Sequence, residues 1–255
     1  MDLRGTRTAV EVEGSGPPLL MLHGAEGSRR QFATIRPGLT DRYTVITYDQ
    51  RDCGDTISPE SPATLNDLAD DAQALLESLG HSSAFVFGTS FGGRVAQALA
   101  VRHAPWVRRL VLASTWPLPV SISTANPEVV QELARLRSEL PASAEQLAEL
   151  FFPPAFLEAR PELRGYFKST PARSARTERR AAAVGDVPQL APSSITQPTL
   201  LIAGTADRIV PAELTRSLSA YVRGETRIEL LAGVGHLSLA QVPQDVARLI
   251  REFLA

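Results

Sequence analysis

The residues best suited to chemistry form a serine turn near the middle of the chain. Residues 88–93 read G-T-S-F-G-G, which places Ser90 in a G-x-S-x-G pattern. A serine hydroxyl is a weak nucleophile, so it reacts only when a sharp turn holds it exposed and beside a general base. Glycines are needed where a side chain would clash in such a turn. The pattern predicts Ser90 as a nucleophile, with capping of the next helix as the alternative role.

An acid and a histidine follow Ser90 along the chain. Residues 204–211 read G-T-A-D-R-I-V-P and residues 232–236 read A-G-V-G-H, so Asp207 and His236 each follow a short apolar run. When a nucleophilic serine lies in such a turn, the acid and then the histidine follow it along the chain. We predict that His236 takes the proton of Ser90 and that Asp207 fixes the His236 tautomer. Either residue alone could be an ordinary loop residue, and the order of the three favours catalysis.

A second loop could complete an oxyanion hole. Attack by serine on a carbonyl carbon leaves a negative charge on oxygen, which needs two preorganised N–H donors. Phe91, the residue after the nucleophile, supplies one N–H group. Residues 23–27 read H-G-A-E-G and follow an apolar run, and we assign the second donor to Ala25. We expect His23 to brace this loop rather than to react.

Short apolar runs and amphipathic helical patterns position these residues. The runs are typical of buried parallel strands and comprise residues 19–22, 45–48, 84–87, 110–113, 200–203 and 228–231. Residues 7–13 alternate and predict a half-exposed edge strand. Helical spacing covers residues 65–79, 91–103 and 243–254. Such alternation predicts an α/β fold with a parallel sheet covered on both faces.

One long segment breaks the alternation. It has amphipathic stretches at residues 128–140, 144–151 and 173–184, several prolines and no convincing strand. We therefore predict a core of residues 1–116 and 191–255 and an all-helical insertion of residues 117–190.

Composition and charge narrow the possible functions. The 255 residues are 44% hydrophobic and 21% charged, as in globular chains. A net charge of -2 predicts no nucleic-acid partner, and no apolar run suits a membrane span. The single cysteine, Cys53, cannot form an internal disulfide, so we expect a reduced, cytoplasmic location. Metal-binding and nucleotide-binding motifs are missing from the sequence, so we expect no cofactor.

These motifs together resemble those of the α/β-hydrolase superfamily. The resemblance rests on residues 23–27, 49–56, 88–93, 204–211 and 235–236, with Pro243 downstream. It implies an eight-stranded, mostly parallel sheet flanked by helices, with a helical cap inserted after the sixth strand. It also implies a cofactor-free serine hydrolase that acts through an acyl-enzyme.

Two of these motifs depart from the common pattern of that superfamily. In the loop of residues 49–56, D-Q-R-D-C-G-D-T, Asp52 and Thr56 stand where glycine and serine are common. Aspartate tolerates left-handed backbone, so we expect the turn to form. Thr89 replaces the frequent histidine before the nucleophile, which predicts a different floor for the acyl pocket.

Several reactions remain open for such a chain. A small carboxylic ester or lactone is favoured as the substrate, because amide hydrolysis is rarer among proteins with this pattern. The alternatives are carbon–carbon bond hydrolysis of a vinylogous diketone, perhydrolysis without a cofactor, and ligand binding by a receptor on the same fold.

A resemblance of residues 49–56 to prolyl iminopeptidases adds a peptidase alternative. That subfamily uses acids of the cap to hold the ammonium group of the substrate. Residues 160–180 hold only two acidic residues against seven basic ones, which are Arg160, Arg164, Lys168, Arg173, Arg176, Arg179 and Arg180. This balance disfavours the peptidase alternative.

Aromatic side chains are concentrated where a cap would face Ser90. Trp116 follows the run at residues 110–113, and Phe151, Phe152 and Phe156 lie in the middle of the insertion. These side chains suit an apolar or ring-shaped group, although the three phenylalanines could equally form the core of the cap. The basic excess could be a solvated helix face, but it leaves room for an anion. We expect a small-molecule substrate that is apolar or aromatic and neutral or anionic.

Overall fold

A mostly parallel sheet forms the centre of the molecule, whose computed structural model describes residues 1–170, 174–189, 191 and 193–255. The strands are β1 (Asp2–Leu3), β2 (Thr6–Arg7), β3 (Val10–Glu13), β4 (Pro18–Leu22), β5 (Thr44–Tyr48), β6 (Ala84–Thr89), β7 (Val107–Ala113), β8 (Thr199–Gly204) and β9 (Thr226–Leu231). The main sheet has the order β3-β5-β4-β6-β7-β8-β9, and β3 is antiparallel to its neighbour β5. All other neighbours are parallel, so the carboxyl ends of β4 to β9 share one edge of the sheet.

The number of strands corrects the expected eight. Over the described residues the main sheet has seven strands, because β1 and β2 pair with each other across a turn at Arg4 and Gly5. Both turn residues have positive φ, 48° and 75°. Arg7 then bridges to Ile57 rather than to the main sheet. The strand before the helical insertion is β7, which is the fifth strand of the main sheet and not the sixth.

Helices cover both faces of this sheet, and further helices lie in the segment between β7 and β8. They are α1 (Leu65–Ser78), α2 (Phe91–Arg102), α3 (Ile122–Ala125), α4 (Pro127–Ser138), α5 (Ala144–Phe151), α6 (Pro154–Ala159), α7 (Ala175–Gly185), α8 (Ala212–Arg216), α9 (Ser238–Gln241) and α10 (Pro243–Leu254). Short 3₁₀ turns occur at Arg29–Phe32, Arg36–Gly38, Ala104–Trp106, Pro161–Gly165 and Ser217–Tyr221. Within the part of the chain that the structure describes, no helix is long and apolar enough to cross a membrane.

Burial on both faces explains the continuous apolar runs. Leu20 and Leu22 of β4 belong to a core shared with α1 and α2, whereas Leu19 and Met21 belong to a second core shared with α10. Successive strand residues point to opposite faces, so a strand covered on both sides needs an apolar residue at every position.

The last strand is less buried than its apolar run predicts. Ile228 and Leu230 of β9 are 39% and 47% exposed. The reason is its position, because β9 is the final strand in the sheet order and has a neighbour on one side only.

Residues 117–190, called the cap segment here after the prediction, contain α3 to α7 and contribute most of a third apolar cluster, which Trp116, Ile209 and Val210 complete. Arg94 of α2 holds both ends of this segment, since Nη2 donates to the carbonyl of Leu118 at 2.6 Å and Nη1 to that of Val184 at 3.2 Å. Burial lowers the pKa of Arg94 to about 10, which leaves it charged at neutral pH. The helix that follows Ser90 thus anchors the cap segment.

Candidate active site

Ser90 lies in a sharp turn between β6 and α2. Its φ of 53° and ψ of -125° belong to a region that non-glycine residues rarely adopt. The turn is held by β7, because the Ser90 N–H donates to the carbonyl of Ala113 at 2.9 Å. A Cβ on Gly92 would overlap the carbonyl of Leu22, and one on Gly88 would overlap the backbone of Gly92. The flanking glycines are therefore required by close backbone contact.

A continuous hydrogen-bond chain joins Ser90 to a buried acid. His236 Nε2 lies 3.0 Å from Ser90 Oγ, and His236 Nδ1 lies 2.9 Å from Asp207 Oδ2. The N–H groups of Ile209 and Val210 both donate to Asp207 Oδ1 at 2.9 Å. Because Asp207 accepts at Nδ1, the lone pair of Nε2 faces the serine and can receive its proton.

The histidine loop packs against the cap segment. The His236 N–H donates to the carbonyl of Phe151 at 3.0 Å, and the two rings meet edge to face with centroids 5.6 Å apart. A Cβ on Gly235 would come within 2.5 Å of the Phe151 carbonyl oxygen. The end of α5 therefore helps to set the position of the imidazole.

Other nearby acids have structural partners instead. Asp49 is fully buried and accepts from the N–H groups of Arg29 at 2.6 Å and Asp55 at 2.7 Å. Asp52 accepts two hydrogen bonds from Arg179, at 3.0 and 2.8 Å. Asp52, which stands where glycine is common, has a φ of 61°, so the left-handed turn forms with aspartate in that place.

Two N–H groups beside Ser90 suit an oxyanion. A Cβ on Gly24 would lie 3.6 Å from Ser90 Cβ, so the loop that contains Ala25 passes next to the serine. Among the described residues, the N–H groups of Ala25 and Phe91 donate to no other group. Phe91 also begins α2, where the helix dipole favours negative charge.

His23 holds the peptide unit that carries the Ala25 N–H. The N–H of Gln50 donates to His23 Nε2 at 3.0 Å, which leaves Nδ1–H to donate to the carbonyl of Gly24 at 2.8 Å. That carbonyl and the Ala25 N–H belong to the same planar peptide unit. Burial, together with the charge of Arg180, lowers the pKa of His23 to about 3, so the ring is neutral and acts as a brace.

A cavity of about 530 Å³ opens beside Ser90 and His236. The loop of residues 23–27, called the oxyanion loop below, forms one wall through Gly24 to Gly27, and Trp116 and Phe151 contribute aromatic surface to the others. Further apolar lining comes from Ile122, Val130, Leu133, Tyr166, Phe167 and Ile209. An apolar group therefore fits next to the serine in this cavity.

Phe152 and Phe156 are not part of the cavity wall, which corrects their predicted place. Phe152 is 1% exposed and packs against Phe156 and Tyr166, with ring centroids 5.5 and 5.6 Å away. Phe152 follows the last residue of α5 in extended conformation, so it points away from its neighbour Phe151, which faces His236. Both residues form the core of the cap segment, the alternative that the sequence left open.

Comparison with known proteins identifies the family of this chain. A family model described as alpha/beta hydrolase fold matches residues 17–241. The chain belongs to the α/β-hydrolase family. It is 28% identical to a 2-hydroxymuconate semialdehyde hydrolase of a Pseudomonas species, over 98% of this chain and 91% of that protein. It is 26% identical to a 2-(acetamidomethylene)succinate hydrolase of Mesorhizobium japonicum, over 96% of this chain and 90% of that protein.

A solved structure of similar fold also comes from a hydrolase. A thermophilic esterase from Thermogutta terrifontis superposes with a TM-score of 0.81 and 28% identity, and the match covers 97% of this chain and 92% of the esterase. With these relatives and a serine at its elbow, the chain is a serine hydrolase.

None of the described basic residues at positions 160–180 lines the cavity, and the arginines among them bind other groups. Arg160 pairs with Glu162 and Arg164 with Glu145 on the surface. The arginines of α7 bind the core: Arg176 the carbonyls of Gly54 and Thr56, Arg179 the carboxylate of Asp52, and Arg180 the carbonyl of Ala25. Arg173 lies outside the described residues. The basic excess at residues 160–180 therefore gives no anion site in the cavity.

The sequence did not reveal a charged pair at the cavity wall. Arg137 of α4 and Glu26 of the oxyanion loop both line the cavity, and Arg137 Nη2 lies 2.9 Å from Glu26 Oε2. Burial lowers the pKa of Arg137, and Glu26 opposes that shift. The sequence did not indicate this role for Arg137, because helical spacing does not show which part of the fold a helix face contacts.

The described residues hold no cluster of histidine, cysteine or acidic side chains that could bind a metal ion. Cys53 is buried, and its thiol lies 3.5 Å from the carbonyl oxygen of Ala25. Burial raises the pKa of this thiol, which favours a packed side chain over a nucleophile.

Proposed function

We propose that this hydrolase cleaves a small carboxylic ester or lactone through an acyl-enzyme on Ser90. The observation that carries the proposal is the hydrogen-bond chain from Asp207 through His236 to Ser90, which opens onto a mainly apolar cavity. The oxyanion donors of the reaction are the N–H groups of Ala25 and Phe91.

Acylation begins with proton transfer from Ser90 Oγ to His236 Nε2 while Oγ bonds to the acyl carbon. The carbonyl oxygen becomes an oxyanion that accepts hydrogen bonds from Ala25 and Phe91. Asp207 stabilises the imidazolium. The ester C–O bond then breaks, and the leaving oxygen takes the proton from His236. In a lactone, this oxygen remains attached to the acyl group.

Deacylation repeats these steps with water. His236 removes a proton from the water, whose oxygen attacks the acyl carbon, and Ser90 leaves with the proton that His236 returns. The acid product forms without an external cofactor or electron carrier.

Residues 117–190 serve as the cap of a core made of residues 1–116 and 191–255. The cap supplies Phe151, Tyr166 and Phe167 to the cavity wall, and Trp116 of the core lies just before the cap begins. These aromatic side chains suit an apolar or aromatic substrate. Arg137 and Arg30 are the cationic side chains that line the cavity, against Glu26, so a neutral or anionic substrate fits better than a cationic one.

Carbon–carbon bond hydrolysis of a vinylogous diketone is the second candidate. The relative named for 2-hydroxymuconate semialdehyde favours it, as does Arg137, whose charge could hold the carboxylate of a conjugated acid. The same Ser90, His236 and Asp207 would serve this reaction, so the triad does not discriminate between the two candidates.

A panel of aryl esters, lactones and dienone acids tests the proposal with purified wild-type protein and the Ser90→Ala variant. We expect the highest kcat/KM on an ester or lactone and loss of nearly all turnover in Ser90→Ala. Higher kcat/KM on the dienone acids would transfer the assignment to the second candidate, and no turnover of any member would contradict both.

A further inference from the structure

Arg180 of α7 is buried against both parts of the oxyanion hole. It is 4% exposed, and its Nε donates to the carbonyl of Ala25 at 2.7 Å. Its guanidinium lies over the ring of Phe91, with 4.5 Å from Cζ to the ring centroid. One side chain of the cap segment thus contacts the two residues whose N–H groups face the reacting carbonyl.

Arg180 also reaches the support of the oxyanion loop. Its Nη2 donates to Gln50 Oε1 at 3.0 Å, and Gln50 Nε2 donates to the carbonyl of His23 at 2.8 Å. His23 in turn holds the Gly24 carbonyl. Through these contacts Arg180 constrains the loop on both sides of the Ala25 N–H.

The charge of Arg180 distinguishes it from its neighbour Arg179. Within the described ranges of the chain it pairs with no carboxylate, and its buried Nη1 has no hydrogen-bond partner. Arg179, the preceding residue, is instead paired with Asp52. Burying an unpaired positive charge costs free energy in the resting protein. A negative charge that develops nearby offsets part of this cost.

We propose that Arg180, which α7 presents to the core, is a positioning residue for the oxyanion hole. This inference rests on the proposed function, because it takes Ala25 and Phe91 as the oxyanion donors. It adds that the cap segment contributes to the chemical step as well as to substrate selection.

The matched pair Arg180→Met and Arg179→Met tests this role, since each removes one arginine that docks the same helix. We expect Arg180→Met to lower kcat on an aryl acetate about 10- to 100-fold, while KM changes less than about threefold, because oxyanion interactions act in the transition state. Arg179→Met should keep kcat within about threefold of wild type, and Arg180→Lys, which retains the charge, should recover part of the loss.

A second readout is the rate at which an aryl fluorophosphonate modifies Ser90, because this reaction needs no known substrate. If Arg180→Met does not fold, the same rate can be measured in Arg180→Lys. We expect slower modification in the Arg180 variants than in Arg179→Met. Equal rates, or an equal loss of kcat in Arg179→Met, would overturn the positioning role and leave the proposed function intact. Failure of wild-type Ser90 to react would instead contradict the proposed function, and the inference with it.

Discussion

At the scale of single residues, backbone contacts orient the proposed triad. Asp207 is fixed on one side by the Ile209 and Val210 N–H groups, and only its other oxygen is free to meet His236. The acid therefore cannot rotate without losing two hydrogen bonds. This constraint determines which nitrogen of the imidazole carries a proton.

The constraint predicts the effect of Asp207→Asn. The two N–H donors keep the amide oxygen on their side, so the amide nitrogen faces His236 Nδ1 and forces the proton onto Nε2. The ring can then no longer accept the proton of Ser90. We expect kcat to fall by about 10⁴-fold, as in the corresponding serine protease variant, with the folded structure retained. Steady-state kinetics and circular dichroism check this result.

Asp49→Asn is the comparison for that variant, because Asp49 supports the neighbouring loop without contacting His236. A loss below tenfold in Asp207→Asn together with a severe loss in Asp49→Asn, in a folded protein, would transfer the role of triad acid to Asp49.

His23 predicts a pH dependence of stability. Its pKa falls from 6.5 to about 3 on folding, mainly through burial. Between these values the unfolded chain binds a proton that the folded protein excludes, so the free energy of unfolding decreases as pH falls, by up to about 1.4 kcal/mol per pH unit. His23→Gln should lack this contribution, which amounts to about 2 kcal/mol between pH 7 and pH 5.

Urea unfolding at pH 7 and pH 5 measures this difference. The variant His81→Gln, which replaces the histidine after α1, controls for the loss of a histidine elsewhere and should retain the wild-type pH dependence. If His23→Gln showed the same decrease as wild type, His23 would not be the buried neutral residue described above.

At the scale of elements, the turn from β6 into α2 depends on how closely α2 approaches β4. A Cβ on Gly92 would overlap the Leu22 carbonyl and come within 2.5 Å of the His23 carbonyl oxygen. These two carbonyl groups lie at the end of β4, so they cannot move without disturbing the sheet. The approach therefore positions Ser90 and the oxyanion loop together.

Gly92→Ala should accordingly destabilise the fold by about 3 kcal/mol or more, because the overlap is with backbone atoms. Gly185→Ala at the end of α7 is the matched control, since an added Cβ there meets nothing within 4 Å, and its stability should stay within about 1 kcal/mol of wild type. Thermal unfolding compares the two variants, and equal melting temperatures would contradict the proposed packing.

Local patterns predicted most elements because their signals are local. The helices α5 and α10 begin and end where apolar spacing and Pro243 indicate. The exposure of Ile228 and the two-strand hairpin at the start of the chain depend on strand order, which is set by contacts distant in sequence. The same limit explains why the sequence did not separate Phe151, at the cavity, from Phe152, in the cap core.

At the scale of the whole molecule, the ordered motifs identified the family, which the family model confirms, and they predicted the proposed triad. They could not reveal how the cap segment meets the core. The arginines of α7 read as a basic surface in the sequence, yet Arg179 and Arg180 bind core loops more than 120 residues away in the chain. Pairing over such separations depends on the completed fold.

The charge of the cavity predicts a substrate preference. Arg137 and Arg30 line it, and Glu26 is already paired with Arg137. In a series of neutral, carboxylate and ammonium esters on one acyl group, we expect the ammonium ester to have the lowest kcat/KM. Arg137→Met should reduce the advantage of the carboxylate ester. An ammonium ester that was best by more than tenfold would contradict this account of the cavity.

The central claim is that Ser90 is the nucleophile, and covalent labelling with a fluorophosphonate followed by peptide mass spectrometry tests it most directly. Trypsin releases Ser90 on the peptide of residues 52–94, which follows Arg51 and ends at Arg94. We predict one adduct on this peptide at Ser90, and none there in Ser90→Ala. An adduct on another residue of the wild-type protein, or an unchanged adduct in Ser90→Ala, would contradict the claim.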